Sequence, residues 1–437
     1  MRLRHFSVRL LLLSSLLLAI PDRAPAIVKA EAPDYAKRVE AALSKKDVDG
    51  ALRALDGWLE HEPENAGARL WRGRLRADRG AYDRALEDLD EAVRLAPDSA
   101  EARAVRGFVH QKKMQIDAAV ADFDYALRLD VHEELALYCR GLLHGERGEL
   151  LAALGDLDAA LAVNPRNAAA LQARGRTHLL RQEAEAALSD FDQSLAIDPN
   201  DPASHLGRGD AYFAQGEFEK AVGDYNDAVR LLPIDARPLV QRAFAWAALA
   251  KDENAMADFE AALKLDPKNV AALFGRGELR RVAKKWDDAV SDFSGVLEVV
   301  PNEGRALMSR AAAYYGGGKM DKALADYAKA VEQHGDIPEA FNDYAWLLCT
   351  GTTDGLRDGA KAVELATKAC EMTDWKDSGY LDTLAAAYAE KGDFDAACKW
   401  QTDAIAASEK QPEAVRAELQ SRLELYQKKM PYREAAK

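Results

Sequence analysis

Three histidines stand at equal spacing and are the side chains of this chain that best fit metal or acid–base chemistry. His110, His144 and His178 are separated by steps of 34 residues, and imidazole commonly binds Zn²⁺ or transfers protons. One ion needs its ligand atoms within about 2 Å, whereas equivalent side chains of successive repeats lie at least about 8–10 Å apart. We therefore expect no shared metal ion and expect the rings to pack where helices meet. If burial keeps the rings neutral, they also predict that the repeats loosen on acidification.

An arginine and an aspartate recur on the same 34-residue step, sixteen residues apart. This pattern predicts an ion pair between the two helices of a hairpin, repeated along the chain. The alternative is that the run of arginines binds an extended acidic ligand, which is disfavoured because an acid accompanies almost every arginine. The arginines are Arg38, Arg72, Arg106, Arg140, Arg174, Arg208, Arg242, Arg276 and Arg310, and the aspartates are Asp88, Asp122, Asp156, Asp190, Asp224, Asp258, Asp292 and Asp326.

The chain contains no recognisable catalytic or cofactor motif. It has no Gly-rich phosphate loop, no H-E-x-x-H, no G-x-S-x-G and no C-x-x-C, and the repeats leave no segment for a separate catalytic domain. The 59 Lys and Arg residues are outnumbered by 73 Asp and Glu, which gives a net charge of −14. Because a negative surface repels phosphate backbones, nucleic acid is disfavoured as a partner. We therefore expect no enzyme, no cofactor, no metal and no nucleic-acid partner.

Four cysteines are too few for a disulfide scaffold in a chain of 437 residues. All of them fall in predicted helices. Cys349 and Cys370 lie towards opposite ends of one predicted hairpin, so a disulfide between them is not expected. We expect buried free thiols at Cys139, Cys349, Cys370 and Cys398.

Proline marks the repeat that positions these side chains. Within one unit, residues 203–215 and 218–232 each have apolar residues at helical spacing, with Gly216 between them and Pro233 at the end. One such hairpin cannot bury both of its faces, so we expect successive hairpins to stack into a solenoid. The prolines on the 34-residue grid are Pro63, Pro97, Pro165, Pro199, Pro233, Pro267 and Pro301.

The unit that runs from Ala203 through Ala221 to Pro233 contains a series of signature residues, which are Gly, Tyr, Gly, Ala, an aromatic residue, Ala and Pro. The pattern resembles the tetratricopeptide repeat (TPR) family. The resemblance implies an all-α fold, a right-handed α-solenoid of about eleven 34-residue helix-turn-helix repeats with a C-terminal capping helix. Nine contiguous repeats are expected at 32–337 and two more at 338–411, of which the first carries an insertion.

The stretch from Phe341 to the end also resembles a C-terminal block that recurs in bacterial TPR proteins. Its markers are Trp346-Leu-Leu, Arg357-Asp-Gly, Gly379-Tyr-Leu-Asp-Thr-Leu and Pro431-Tyr-Arg-Glu. Residues 412–437 are expected to form a capping helix and a tail, because one apolar stripe can cover the open end of the stack. That stripe comprises Val415, Leu419, Leu423 and Tyr426.

The first 26 residues have the layout of a secretory signal peptide. Arg2, Arg4 and Arg9 precede an apolar run from Leu10 to Ile20, and Ala24-Pro25-Ala26 fits a signal-peptidase site. The run spans about 16 Å, roughly half of the hydrocarbon core of a bilayer. We expect cleavage after Ala26 or Ala30, a periplasmic or secreted protein, and no stable membrane span after cleavage. The alternative is an amphipathic or uncleaved anchor, which the short apolar run disfavours.

In the TPR family the first helices of the repeats line a concave groove, and the resemblance carries the groove positions onto this chain by register. Aromatic and apolar residues there, interspersed with charges, would mark a site for a partner. The family's carboxylate clamp of Lys and Asn is not reproduced. The positions are Leu70, Arg74, Phe108, Tyr138, Leu142, Arg176, Leu206, Asp210, Phe213, Val240, Phe244, Phe274, Glu278, Arg281, Met308 and Tyr315.

These features predict a non-catalytic scaffold for protein–protein interaction that binds a protein or an extended peptide in its groove, in an envelope or secretion-associated assembly. One alternative is a regulatory or accessory subunit of an enzyme complex. Another is a solenoid that associates with itself through its ends, which the capping helix disfavours. The alternative for the groove positions is that several belong to the core.

Overall fold

The computed structural model describes residues 33–434, which form 23 α-helices and one short 3₁₀ helix and contain no strand. The all-α class predicted from the sequence is therefore confirmed. The predicted signal peptide, residues 1–26, lies outside the described residues. The chain divides into two compact units, which join between Leu231 and Leu232.

The first unit contains twelve helices arranged as six consecutive hairpins. They are α1 (Pro33–Ser44), α2 (Val48–His61), α3 (Ala66–Asp78), α4 (Tyr82–Leu95), α5 (Ala100–Lys112), α6 (Ile116–Leu129), α7 (Glu134–Glu146), α8 (Leu150–Val163), α9 (Ala168–Leu180), α10 (Ala184–Ile197), α11 (Pro202–Ala214) and α12 (Phe218–Leu231).

The second unit contains five hairpins and a last single helix. Its helices are α13 (Ala236–Ala248), α14 (Asp252–Leu265), α15 (Val270–Val282), α16 (Trp286–Val299), α17 (Gly304–Gly316), α18 (Met320–Gln333), α19 (Pro338–Thr350), α20 (Gly359–Met372), α21 (Ser378–Lys391), α22 (Phe394–Ala407) and α23 (Glu413–Gln427). The connection between α19 and α20 is longer than in the other hairpins and holds the 3₁₀ helix Asp354–Leu356.

In most hairpins, although not in the one that begins with α19, the first helix begins at a recurring capping residue. A side-chain oxygen just before the helix accepts a hydrogen bond from a backbone N–H of its first turn, which would otherwise lack a partner. Because the cap recurs every 34 residues, so does the start of the helix. In the first unit the caps are Asn65, Ser99, Glu133, Asn167 and Asp201.

Small residues let the two helices of a hairpin pack closely. Gly107 on α5 faces the ring of Phe123 on α6, and Gly175 on α9 faces the ring of Phe191 on α10. Both rings are fully buried. An alanine on the second helix of each hairpin is also fully buried and continues the contact, which keeps the repeat geometry constant. In the first unit these alanines are Ala51, Ala85, Ala119, Ala153, Ala187 and Ala221.

The last helix packs on the preceding hairpin through one stripe. Leu419, Leu423 and Tyr426 of α23 are buried, at 2%, 9% and 0% exposure, as the sequence pattern predicts. Val415 was expected on the same stripe but is 39% exposed. It lies in the first turn of α23, one turn before the helix reaches the surface that it covers.

Candidate functional site

The recurring arginines and aspartates form ion pairs within the hairpins, as predicted. In all eight hairpins that carry both residues, the arginine of the first helix donates to the aspartate sixteen positions later on the second helix. Arg72 shows the geometry, with Nε and Nη2 at 2.9 and 2.6 Å from the two carboxylate oxygens of Asp88. The other pairs are Arg106–Asp122, Arg140–Asp156, Arg174–Asp190, Arg208–Asp224, Arg242–Asp258, Arg276–Asp292 and Arg310–Asp326.

In the first unit each of these arginines also reaches the preceding hairpin. Arg106 Nη1 lies 2.9 Å from Asp90, and the hydrogen bonds to Asp122 and Asp90 raise the pKa of the Arg106 guanidinium. The donors of the arginine are thus directed at carboxylates of its own chain, which leaves the acidic-ligand alternative without support. The same contact to the preceding hairpin is made by Arg72 to Asp56, Arg140 to Asp124, Arg174 to Asp158 and Arg208 to Asp192.

The three spaced histidines lie beside this ion-pair series. Nδ1 of His178 is 2.8 Å from Glu183 at the start of the second helix, and Nε2 is 3.9 Å from Asp190. His144 contacts Glu149 and Asp156 in the same way, at 2.5 and 3.7 Å. The rings therefore join the two helices of a hairpin.

The surroundings of these histidines bear on two further expectations, the loosening of the repeats on acidification and the lack of a shared metal ion. The side chains of His110, His144 and His178 are 18%, 25% and 18% exposed. The burial on which loosening at low pH depends is therefore incomplete. Among residues 33–434, no group of three His, Cys, Asp or Glu side chains could hold a metal ion.

The predicted groove positions of the first unit are divided between the core and the surface. Leu70, Phe108 and Tyr138 are only 5%, 5% and 7% exposed and pack in the hydrophobic core. They offer little surface to a partner, because helices α3, α5 and α7 turn these positions towards their neighbours. The other groove positions of this unit are half-buried: Arg74, Leu142, Arg176, Leu206, Asp210 and Phe213.

Several carboxyl groups on or just before the first helices of this unit are partly shielded from water. Asp210 accepts a hydrogen bond from the hydroxyl of Tyr225 at 2.7 Å, and burial raises the pKa of the Asp210 carboxyl to about 6. Burial likewise raises the pKa of Glu133, the capping residue of α7, to about 7. Arg74 pairs with Glu101 at 3.3 Å. The Asp210 and Glu133 carboxyls therefore bind a proton at a higher pH than ordinary carboxyls do.

The second unit shows the same division. Val240 is 6% exposed and belongs to the core, whereas Phe244 and Phe274 are half-buried. Each phenylalanine rests on a buried ring of the second helix of its own hairpin. The ring centroids are 5.2 Å apart for Phe244 and Phe259 and 5.7 Å apart for Phe274 and Phe293. The remaining predicted positions are also half-buried: Glu278, Arg281, Met308 and Tyr315.

The tail of the chain lies against one of the predicted groove positions. The carboxylate of Glu434 accepts a hydrogen bond from the hydroxyl of Tyr315 at 2.5 Å and one from Nε1 of Trp346 at 2.7 Å. The backbone N–H of Glu434 donates to the carbonyl of Thr350 at 3.0 Å. Helices α17 and α19 therefore both contribute residues that bind the tail.

The four sequence markers of the C-terminal block meet in this region. Arg422 of α23 lies over the rings of Trp346 and Tyr432, at 5.6 and 5.3 Å, and its Nε donates to Asp382 at 2.9 Å. On the other side of the tail, Arg433 and Arg357 both pair with Glu390 of α21. The markers are thus one set of contacts that fixes the tail, α19, α21 and α23 to each other.

Trp346 and Glu434 belong to the sequence markers of the C-terminal block, but neither was predicted as a site residue. Trp346 could have been found by spacing, since it lies two 34-residue steps after the groove position Glu278. Glu434 carries no such signal, because it lies beyond the last repeat and its contact with Tyr315 spans 119 residues.

Comparison with known proteins decides the family. A tetratricopeptide repeat model matches residues 37–100, 198–238, 242–293 and 280–338, and a second TPR repeat model matches residues 175–216. The chain belongs to the tetratricopeptide repeat family. The predicted α-solenoid class is thereby confirmed. TPR proteins commonly mediate protein–protein interactions, and the TPR fold is typically non-catalytic.

Solved TPR structures are similar to this TPR protein at low sequence identity. PilF of Pseudomonas aeruginosa is 21% identical, with 49% of this chain and 97% of that chain covered and a TM-score of 0.45. The yeast protein Tom70 is 15% identical, with 90% and 95% covered and a TM-score of 0.42. YrrB, described as a TPR protein with an unusual peptide-binding site, is 21% identical, with 43% and 96% covered and a TM-score of 0.36. No curated protein matches the chain.

Two further features are the state of the cysteines and the search for membrane-spanning helices. The four cysteines are free, and Cys139, Cys349 and Cys370 are buried as predicted, whereas Cys398 is half-buried. Within residues 33–434, no helix has the length and apolar character needed to cross a membrane.

Proposed function

We propose that this TPR protein is a non-catalytic scaffold that binds another protein through an extended segment laid along the first helices of its repeats. The observation that carries the proposal is the composition of those helices in the first unit. Half-buried Leu142, Leu206 and Phe213 lie on the same predicted face as Arg176 and Asp210. Apolar side chains with an accessible edge supply contact area, and fixed charges between them supply orientation.

The charge of the chain favours a protein of basic or mixed charge over an acidic one. Cleavage after Ala26 would remove four Arg and one Asp, which changes 59 − 73 to 55 − 72 and the net charge from −14 to −17. The signal peptide predicted from residues 1–26 supports a role in a periplasmic or secreted assembly. Localisation is tested by fractionating cells that express the tagged chain, and recovery of the uncleaved protein from the cytoplasm would refute it.

The groove itself is tested by peptide selection with a matched pair of variants. A displayed library of random peptides is selected on the purified protein, and the affinity of the selected peptides is measured by fluorescence anisotropy. Leu142→Arg places a charge on the predicted groove of α7, whereas Leu151→Arg makes the same change at a side chain on α8 that is 73% exposed.

We expect Leu142→Arg to weaken binding by at least about 10-fold, since a desolvated apolar contact is replaced by a charge. Leu151→Arg should leave the affinity within about 2-fold. Thermal unfolding confirms that both variants are folded. Selection of no peptide, or equal effects of the two variants, would rule out binding on the first helices.

A further inference from the structure

The last residues of the described chain run as an extended segment over the surface of the second unit. Pro431–Glu434 has no helical hydrogen bonding. Glu434, at its end, is bound through both its backbone and its side chain. The backbone N–H donates to Thr350, and the carboxylate accepts from Tyr315 and Trp346. The segment therefore joins two successive repeats, one through α17 and the other through α19.

Three consecutive side chains of this segment each have a partner. The ring of Tyr432 lies 5.8 Å from the ring of Trp346. Arg433 pairs with Glu390 and donates to the carbonyl of Cys349 at 3.3 Å. Glu434 takes the two hydrogen bonds from ring groups. An aromatic, a basic and an acidic residue in a row are thus each recognised by complementary chemistry.

The surface that receives the segment includes one predicted groove position and one residue in groove register. Tyr315 is the predicted position, and Trp346 has the register of Glu278 in a later repeat. Main-chain hydrogen bonds combined with pockets for successive side chains are the usual way in which a folded domain holds an extended peptide. The tail therefore has the contacts of a ligand rather than those of a helix cap.

We propose that Tyr432–Glu434 is a built-in ligand of the second unit. The partner segment for this part of the groove is an extended peptide that presents an aromatic, a basic and an acidic residue in that order and displaces the tail. This inference rests on the proposed function. The capping helix also has contacts that do not involve the tail, namely the buried side chains Leu419, Leu423 and Tyr426 and the hydrogen bond from Arg422 to Asp382. The tail can therefore leave while the cap stays in place.

The tail competes strongly because it is part of the same chain. A segment joined by a short linker has an effective concentration of about millimolar. A separate peptide with the same contacts would bind weakly to the intact protein and more tightly once the tail is released. Glu434→Ala in the full chain removes the two side-chain hydrogen bonds, and Glu424→Ala, at an exposed position of α23, is the matched control.

The probe is a fluorescent peptide with the sequence of residues 429–434, capped at both ends, and its binding is measured by anisotropy. We expect Glu434→Ala to bind it at least about 10-fold more tightly than the wild type and Glu424→Ala do. Adding Trp346→Phe to Glu434→Ala should reverse the gain, because the indole donor is lost while a ring remains. Adding Trp375→Phe instead, which changes an exposed tryptophan of the same unit, should not.

Hydrogen exchange of the wild-type tail gives a second measurement that does not need a variant. Excess peptide should accelerate exchange in residues 432–434, whereas a peptide with alanine in place of the glutamate should not. Equal affinity for the wild type and Glu434→Ala, no binding up to about 1 mM, or an unfolded Glu434→Ala variant would each overturn the proposal. Library peptides sensitive to Leu142→Arg but not to Glu434→Ala would leave the proposed function standing while this inference fails.

Discussion

Arg174 donates two hydrogen bonds to the carboxylate of Asp190, one from Nε at 3.0 Å and one from Nη2 at 2.6 Å. The remaining Nη1 donates to Asp158 at 2.6 Å. Asp190 is 3% exposed, whereas Asp158 is 60% exposed. One guanidinium thus links α8, α9 and α10. Asp190 is buried and relies on this ion pair, whereas Asp158 is exposed and can be solvated by water instead.

Arg174→Ala should therefore cost far more stability than Asp158→Ala. Loss of the arginine leaves a buried carboxylate without its partner, which we expect to lower the free energy of unfolding by about 3 kcal/mol. Loss of the exposed acid should cost about 0–1 kcal/mol. Urea unfolding followed by circular dichroism measures both. Unchanged stability of Arg174→Ala together with lost peptide binding would assign the arginine to a ligand site instead.

Glu133 should make the protein less stable as the pH rises. Burial raises the pKa of Glu133 from 4.5 to about 7 in the folded state. Between these values the native state keeps a proton that the unfolded chain has released, so the free energy of unfolding falls with rising pH. Glu133→Gln keeps an acceptor for the capped N–H of Ala136 but removes the titration.

The gain in stability of Glu133→Gln over the wild type should therefore grow by about 3 kcal/mol between pH 4.5 and about pH 8. Chemical unfolding across this range measures it. Asp117→Asn changes an exposed acid of α6 and should give a curve parallel to that of the wild type. A constant difference between Glu133→Gln and the wild type would show that Glu133 does not titrate in this range.

Gly207 should not tolerate a methyl group, whereas Gly223 should gain from one. A Cβ atom at Gly207 would overlap with the ring of Phe191, which is fully buried and cannot move aside. At Gly223 on α12 nothing lies within 4 Å. We expect Gly207→Ala to cost about 1–3 kcal/mol and Gly223→Ala to stabilise by up to about 1 kcal/mol. Similar unfolding midpoints for the two variants would contradict the packing described for α10 and α11.

Cys398 should be the thiol that reacts in the native protein. It is half-buried, whereas the other three cysteines are buried, and burial raises the pKa of the Cys370 thiol to about 12. The reactive thiolate is therefore scarce and shielded at the buried sites. Titration with Ellman's reagent should give one fast thiol, four in denaturant, and none in native Cys398→Ser. Two or more fast thiols would show that the core opens.

The repeat and its internal contacts could be read from the sequence, because each depends on residues that are close in sequence. The Arg174–Asp190 pair spans sixteen residues within one hairpin, and both residues recur on the 34-residue step. The exposure of single groove positions could not be predicted in this way. Phe108 and Leu142 occupy equivalent places on α5 and α7, yet the first is buried and the second is half-buried. Their exposure depends on the side chains of neighbouring hairpins, which vary.

The hairpin, its length and its ion pairs could be predicted from the sequence, since they follow from local spacing that repeats along the chain. The position of the tail could not, and it is seen only in the folded protein. Tyr315, Trp346 and Glu434 are separated by intervals of 31 and 88 residues with no common period. They meet because stacked hairpins bring α17 and α19 side by side and α23 directs the chain back across them. The markers of the C-terminal block include Trp346 and Glu434, but their spacing does not predict that the two side chains touch, because the geometry depends on every helix between them.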